Sequence, residues 1–447
     1  MSRRKHTVLL AAIAFLLASS IVGVGAWAVS NYTQDIPLIQ SINPNKQDQV
    51  KQKPDKETIL LLGAGGKNHD GGGLTDTIMI AQILNKEKKI HLISLPRDML
   101  VFDKKGNYSK LNAVYIDAIA EGKTEAESIQ VLQDKITEIT GITFDHYAEV
   151  DFQGFVSLVD KLGGIEVDVK EAIDDPYYPG PNYSYQRFTI QPGVQTLNGE
   201  TALKYARSRY TSKGGDLDRS RRQQQILSNV KDKIFELNPI LDAPKLVSLL
   251  GIAKDSLKTD LSLTDMKDFY DTYKDSKDYT ITSLVIGQNL LTGNMKEGYR
   301  QFGTNRGYII EPRIGEQNYL EIKEEIVNIN DITAYQDKIT SLAKAKSQLN
   351  IIWGDDITTT QKKYIQAFLE ARGFTLQVLS SSNSSLSSTS NTNTLYIGNN
   401  PYNSTTDGTE PNIANEYIKS VFKADMNTTF PLDNNIPILY IASDIIF

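Results

Sequence analysis

The sequence predicts an α/β protein: a central mixed β-sheet flanked by helices, preceded by one transmembrane helix and followed by a small second α/β domain. Three observations point there. "TILLLGA", "DTIMIAQIL" and "KIHLISL" are short apolar runs with the length and composition of buried strands. "EAESIQVLQDKITEITG" has helical apolar spacing and stops at Gly141. The uncharged stretch 8–30, "VLLAAIAFLLASSIVGVGAWAVS", is long enough to cross the roughly 30 Å hydrocarbon core of a bilayer.

Residues 1–7 form a basic tail. Arg3, Arg4 and Lys5 precede the apolar run, so the positive-inside rule keeps the tail cytoplasmic and puts residues 31 onward outside the cytoplasm. A cleaved signal peptide is the alternative, with "AWA" at 26–28 as its small-residue site. The run exceeds the usual signal core of about 7 to 15 residues, so 8–30 is read as a single-pass anchor in the cell membrane. Residues 31–57, polar with scattered prolines, read as a linker.

Residues 58–330 read as one large domain. After the three strands and the first helix come a helix at "FQGFVSLVDKLGG" and a strand at "IEVDV". "TALKYARSRY" and "RSRRQQQILSNVKDKIFEL" are helices around a Gly-Gly turn, and further helices are expected across 241–277. "YTITSLVI" is strand-like, and "QNYLEIKEEIVNI" is a helix. Residues 331–347 are a linker or short helix. From 348 to 447 the order is strand "LNIIWG", helix "TTTQKKYIQAFLEARGF", strand "TLQVLS", a serine-rich loop, strand "TLYIGN", helix "PNIANEYIKSVF" and strand "IPILYIAS".

Composition narrows the function classes. The chain of 447 residues carries a net charge of −6, which gives no general attraction to nucleic acid, so any anion site is a local basic cluster. It has no cysteine, which removes disulfides, thiolate catalysis and Cys-ligated zinc. The glycine-rich stretch "LLLGAGGKNHDGGGLTDTIMI" invites a nucleotide reading that its spacing refuses. A Walker A loop needs glycine where Leu61 stands and Ser or Thr where Asn68 stands. A dinucleotide fingerprint from Gly63 needs glycine at Asn68.

Other residues in that stretch and beyond it suit phosphate. Asp76, where a strand begins, is placed to hold Mg²⁺, which binds one or two carboxylates together with substrate phosphate oxygens. Arg97 follows the strand-ending Pro96, and Lys110 is a second cation nearby in sequence. Arg207, Arg209, Arg219, Arg221 and Arg222 crowd one segment of an acidic protein. Like charges so close repel, so the cluster wants anions, and the planar guanidinium fork matches phosphate oxygens. A solvated charged face is the alternative. His91 and His146 lack metal-ligand neighbours, while His69 in the glycine loop is a candidate base with a solvent-exposed loop histidine as the alternative.

Taken in order, "LLLG…TDTIMI", "SLPRDM", "KLNAVY", "FVSLVDKLGGIEVDV", "QPGVQTLNGETALKYARSR" and "GDLDRSRRQQQIL" resemble the LytR-CpsA-Psr family of envelope phosphotransferases over about 58–330. The tail from 348 is similar, more weakly, to the LytR C-terminal domain often appended to that family. The resemblance implies the family's fold and a membrane-anchored extracytoplasmic enzyme. Such an enzyme moves a glycopolymer from a polyprenyl-pyrophosphate carrier to a cell-wall acceptor hydroxyl, usually on peptidoglycan, and releases polyprenyl phosphate. Carried over by motif, Arg97, Arg207, Arg209, Arg219 and Gln223 grip the pyrophosphate, Lys110 assists, and Asp76 holds Mg²⁺ (or Mn²⁺). Asp216 and Arg222 match family positions with a structural role as the alternative. An apolar channel for the lipid is also implied.

Two positions depart from the family pattern. Gly65 stands where many members have aspartate, and Leu74 where they carry arginine. Asp70, His69 and Lys67 in the glycine loop are the candidates to replace them, with Asp70 taken as a second metal and catalytic carboxylate beside Asp76 and Arg97. The alternatives to transfer are a non-catalytic polyprenyl-phosphate or envelope-glycan binder and a lipid pyrophosphatase.

Overall fold

The structure, a computed structural model, describes residues 54–65, 73–180, 184–208, helical positions between 222 and 233, 257–262, 279–287, 294–379, 393–396, 413–423, 425–427 and 438–441. They fall into two compact units. Residues up to 137, 142–293 and 297–310 make the first; 138–141, 294–296 and 311 onward make the second. The expected anchor 8–30, the glycine loop around Asp70 and the serine-rich stretch after Leu379 lie outside the described residues. Among the described residues no helix is long and apolar enough to cross a membrane.

The first unit is built on three antiparallel strands, β1 (Lys56–Ala64), β2 (Thr75–Leu84) and β3 (Lys89–Leu95). Ile59, Leu60, Ile80 and Ile93 are wholly buried, so both faces of these strands are covered and their near-continuous apolar sequence follows. A small hairpin, β4 (Leu100–Phe102) and β5 (Tyr108–Lys110), leads to helices α1 (Val114–Ala120) and α2 (Glu125–Thr140). Thr124 and Glu127 exchange side-chain-to-backbone bonds at the start of α2, a capping box. Gly141, at φ +74°, stops it in the left-handed conformation that glycine adopts without strain. The buried stripe between is Ile129, Leu132, Ile136 and Ile139.

The chain re-enters the sheet as β6 (His146–Asp151), parallel to β1. Asp151 then caps helix α3 (Phe152–Lys161) by accepting from the Gly154 backbone N–H at 2.7 Å. Four strands follow, β7 (Ile165–Val169), β8 (Ile173–Pro179), β9 (Tyr185–Ile190) and β10 (Gly193–Leu197), with β7 paired to β10 and β8 to β9. Helix α4 (Gly199–Arg207) starts where Asn198 caps it and where Gly199 meets α3; a Cβ on Gly199 would stand 2.2 Å from the Val156 carbonyl oxygen.

Strands β11 (Leu257–Thr259) and β12 (Thr280–Val285) complete a six-stranded sheet in the order β11-β6-β1-β2-β3-β12. β12 runs parallel to β3 and β11 antiparallel to β6, so the sheet is mixed as expected. One expectation fails here. Helix was expected across 241–277, but Leu257–Thr259 pairs with Val150–Ala148, because the edge of β6 offers backbone partners that local propensity does not register. Strands β13 (Met295–Phe302) and β14 (Asn305–Pro312) form a hairpin that closes the unit.

The second unit is a separate α/β module. Helices α5 (Leu320–Val327) and α6 (Ile332–Ala345) open it, so the stretch 331–347 is mostly helix. Strand β15 (Gln348–Trp353), helix α7 (Thr359–Ala371), β16 (Thr375–Val378), β17 (Thr394–Tyr396), helix α8 (Ile413–Phe422), β18 (Asp425–Asn427) and β19 (Ile438–Ile441) complete it. Its sheet order is β16-β15-β19-β17-β18. Phe368, Leu369, Tyr417 and Leu439 are at the centre of its core.

Candidate functional site

Sheet register assembles the site. Ala64 at the end of β1 lies opposite Thr75 of β2 on one side and Asp151 of β6 on the other, while Leu95 of β3 lies opposite Ile78. The carboxyl ends of β1, β3 and β6 and the start of β2 therefore share one end of the sheet. This is the edge where ligands of open α/β sheets bind. Asp76, Arg97 and Phe152 all project from that end, and β3 and β6 are three strand spacings apart, about 14 Å.

Asp76 and Arg97 form an ion pair through Oδ1 and Nη1. Arg97 Nε also lies 3.5 Å from Asp98 Oδ2, and Asp98 Oδ1 accepts from Lys110 Nζ at 2.7 Å. The run Asp76–Arg97–Asp98–Lys110 alternates in sign and is partly open, with the four side chains between 16% and 26% exposed. A phosphate carries the same sign of charge as these carboxylates, so the cations can exchange one for the other. Arg97, Asp98 and Lys110 line a cleft of about 850 Å³ together with Leu74.

Arg207 occupies the last turn of α4 and stacks its guanidinium on Phe152, 4.2 Å from the ring centroid, while Nη1 donates to the Tyr178 hydroxyl at 3.4 Å. Its neighbour Ser208 is wholly enclosed and donates to Asp175 Oδ2 at 2.7 Å, which pins the turn that follows α4. Arg222 has a structural role. It is buried, and it donates to the Tyr205 carbonyl at 2.9 Å and to the Ser208 carbonyl, neutralising the negative end of α4. Gln223 sits beside it on a helical position, half-buried. Burial raises the Tyr178 hydroxyl above its ordinary value, so it stays a neutral partner for Arg207.

The expected site residues thus divide. Asp76, Arg97 and Lys110 meet directly or through Asp98, and Arg207 reaches the same end of the sheet through Phe152. Asp70, Arg209 and Arg219 lie outside the described residues. Sequence reasoning missed Asp98, although it stands next to Arg97; nothing local says that its carboxylate reaches Lys110, twelve positions on. It also missed Phe152 and Tyr178, aromatics that no local motif singles out.

Asp76 is a carboxylate suited to a divalent cation at this end of the sheet, and among the described residues no group of three or more His, Asp or Glu could hold a metal ion. One carboxylate fits Mg²⁺ in the arrangement where water and substrate phosphate oxygens complete the octahedron.

The LytR_cpsA_psr family model matches residues 29–310, more than half of the chain. The chain belongs to that family. The Enterococcus faecalis polyisoprenyl-teichoic acid–peptidoglycan teichoic acid transferase TagU is 28% identical over 332 residues, 73% of this chain and 97% of that protein. The Corynebacterium glutamicum cell wall biosynthesis protein LcpA is 31% identical over 243 residues; the match takes in 51% of this chain and spans 44% of LcpA. A crystal structure of Bacillus subtilis TagV is 26% identical, covers 62% of this chain and 97% of that chain, and superposes with a TM-score of 0.43. The family match ends at Ile310, where the first compact unit of this LytR_cpsA_psr protein also ends.

Proposed function

We propose that the chain is a membrane-anchored extracytoplasmic phosphotransferase that moves a glycopolymer from a polyprenyl-pyrophosphate carrier to a hydroxyl of peptidoglycan. The observation that carries this is the Asp76–Arg97–Asp98–Lys110 run at the ligand-binding end of the sheet, with Arg207 held toward the same end. Membership of a family whose relatives are named as teichoic acid transferases supports it. The anchor at 8–30, the Mg²⁺ ion and the reading of 348–447 as a LytR C-terminal-type domain belong to the same proposal.

Phosphoryl transfer asks mainly for positioning and charge neutralisation. The acceptor hydroxyl oxygen bonds to the glycan-side phosphorus, the bond from that phosphorus to the bridging oxygen breaks, and polyprenyl phosphate leaves with the bond's electrons. The hydroxyl proton is lost to solvent or base. Arg97 and Lys110 release their carboxylate contacts and take the non-bridging oxygens, while Arg207, desolvated against Phe152, holds the leaving phosphate. Asp76 would hold Mg²⁺, which supplies further neutralisation of phosphate charge when bound.

A binding-only role is the second reading, favoured by Leu74: this apolar side chain lines the cleft beside Arg97, where many relatives carry a cation. A labelled polyprenyl-pyrophosphate glycan incubated with the protein and wall fragments, with and without a Mg²⁺ chelator, separates the readings. Label on the wall that disappears with the chelator is the expected result. Free phosphoglycan instead would make the protein a pyrophosphatase, and binding without turnover would make it a carrier.

A further inference from the structure

We propose that the part of the cleft beyond Lys110 is a glycan subsite, taking a pyranose ring between the β4–β5 turn and the β13–β14 turn. The phosphate end of the same cleft is known only through the transfer reading above, and the identity of this subsite rests on that reading.

Two kinds of residue line the cleft: the charged Arg97, Asp98 and Lys110, and the mixed aromatic and amide set Asn107, Tyr108, Gln301 and Phe302 of the two turns. Lys110 Nζ links them, because it is bonded to Asp98 and also lies 5.9 Å from the centroid of the Phe302 ring. A ligand phosphate at Lys110 therefore has the aromatic end next to it.

That end has the mixed chemistry of a sugar. A pyranose ring has apolar C–H faces and a rim of hydroxyls, so its site needs aromatic surface and planar hydrogen-bonding groups together. Tyr108 keeps 39% of its surface exposed, although its ring meets Phe102 and Phe302 edge-on at 6.0 and 5.7 Å. Asn107, Gln301 and Asp117 line the same cleft, with Asn107 Nδ2 donating to Asp103 Oδ2 at 2.8 Å. Asp117 is exposed where it lines the cleft, so its carboxylate is open to accept from a hydroxyl. A lipid chain would want a wholly apolar lining, and the carboxylates Asp98 and Asp117 disfavour a second anion.

The walls are also held in advance. Asp103 Oδ1 accepts from the backbone N–H groups of Lys105 and Asn107, each at 2.8 Å, and Gly106 takes φ +85° in that turn. The Tyr108 hydroxyl donates to the Gln301 carbonyl at 2.6 Å, and Gln301 Nε2 donates to the Gly303 carbonyl at 2.9 Å. Two turns nearly two hundred residues apart are thereby tied to each other, which lowers the ordering a ligand must drive.

The sugar has two possible sources, the glycan of the lipid donor or the glycan strand of the wall acceptor. Calorimetric titration of the full chain in detergent with three probes tells them apart. The probes are a sugar-free polyprenyl pyrophosphate, the same lipid carrying a disaccharide, and a phosphate-free oligosaccharide of β-1,4-linked N-acetylhexosamines. Tyr108→Ala is expected to weaken glycan binding about tenfold, the loss of one aromatic contact of about 1.4 kcal/mol. If the donor supplies the ring, Tyr108→Ala removes the advantage of the glycosylated lipid over the bare one. If the acceptor supplies it, the oligosaccharide alone loses affinity. Unchanged affinity for both glycans overturns the subsite. Should Tyr108→Ala not fold by circular dichroism, Gln301→Ala carries the same test, and Tyr108→Phe should retain glycan binding. A wild-type chain that binds neither lipid would sink the transfer reading, and the oligosaccharide titration would still decide the subsite.

Discussion

Arg97 and Arg372 are both arginines between two carboxylates, and they do opposite jobs. Arg97 touches Asp76 and Asp98 at the mouth of a cleft, partly open to water. Arg372, in the second unit, is 2% exposed and pairs with Glu321 and Glu324, themselves 2% and 3% exposed. Its Nε bonds to Glu324 and to the Tyr417 hydroxyl at 3.1 Å, its Nη2 to the Tyr335 hydroxyl at 3.1 Å, and Arg313 closes the far side of Glu321 at 2.9 Å. The same kind of ion pair is thus partly open to water in one place and sealed in the other. Access of water sets the difference, because desolvation makes a buried pair costlier to break than a partly open one.

Three measurements would break or sharpen that contrast. The largest effect is expected at the joint. Arg372→Met leaves Glu321 and Glu324 buried without their main cation and should lower stability in urea by about 3 to 5 kcal/mol. A loss well under 1 kcal/mol would mean that water reaches the network. Arg97→Ala should do the reverse. Transfer activity should fall about 10²- to 10³-fold, as when one preorganised donor to a transition state is removed, with stability changed by less than about 1 kcal/mol. An equal loss of stability would make Arg97 another structural arginine.

The third concerns pH. Glu325, behind the joint, has its carboxyl raised from 4.5 to about 7, chiefly by burial, against a hydrogen bond from Asn294. The folded chain then holds a proton that the unfolded chain has already lost between pH 4.5 and 7. Stability of the second unit should fall as pH rises through that window, by up to roughly 3 kcal/mol, and level off above it. Glu325→Gln should flatten the profile, and a wild-type profile that rises with pH would refute the assignment.

Much of the fold was legible because its signals are local. β1, β2 and β3 announce themselves as apolar runs, α2 by its helical apolar spacing and Gly141, and α7 by the stop at Gly373. β11 was not legible, since three residues become a strand only when β6 presents its edge. The β4–β5 hairpin escaped because three-residue strands are too short to show a period, and β13–β14, eight residues a strand, because its sequence is largely polar; the Tyr108-to-Gln301 bond ties the two hairpins together. In the site, the cationic residues stood out by density and residue type. The aromatic and acidic residues that hold them did not.

By itself the sequence determined the α/β class, the strands of the central sheet, the basic cluster in an acidic protein and the family, because composition, periodicity and motif spacing are properties of neighbouring residues. Only the tertiary structure decided that Arg97 shares Asp98 with Lys110, that Arg207 rests on Phe152 while Arg222 caps a helix, and that Arg372 is sealed while Arg97 is open. Those outcomes depend on strand register and on which residues distant in sequence exclude water from one another, and no local pattern encodes either.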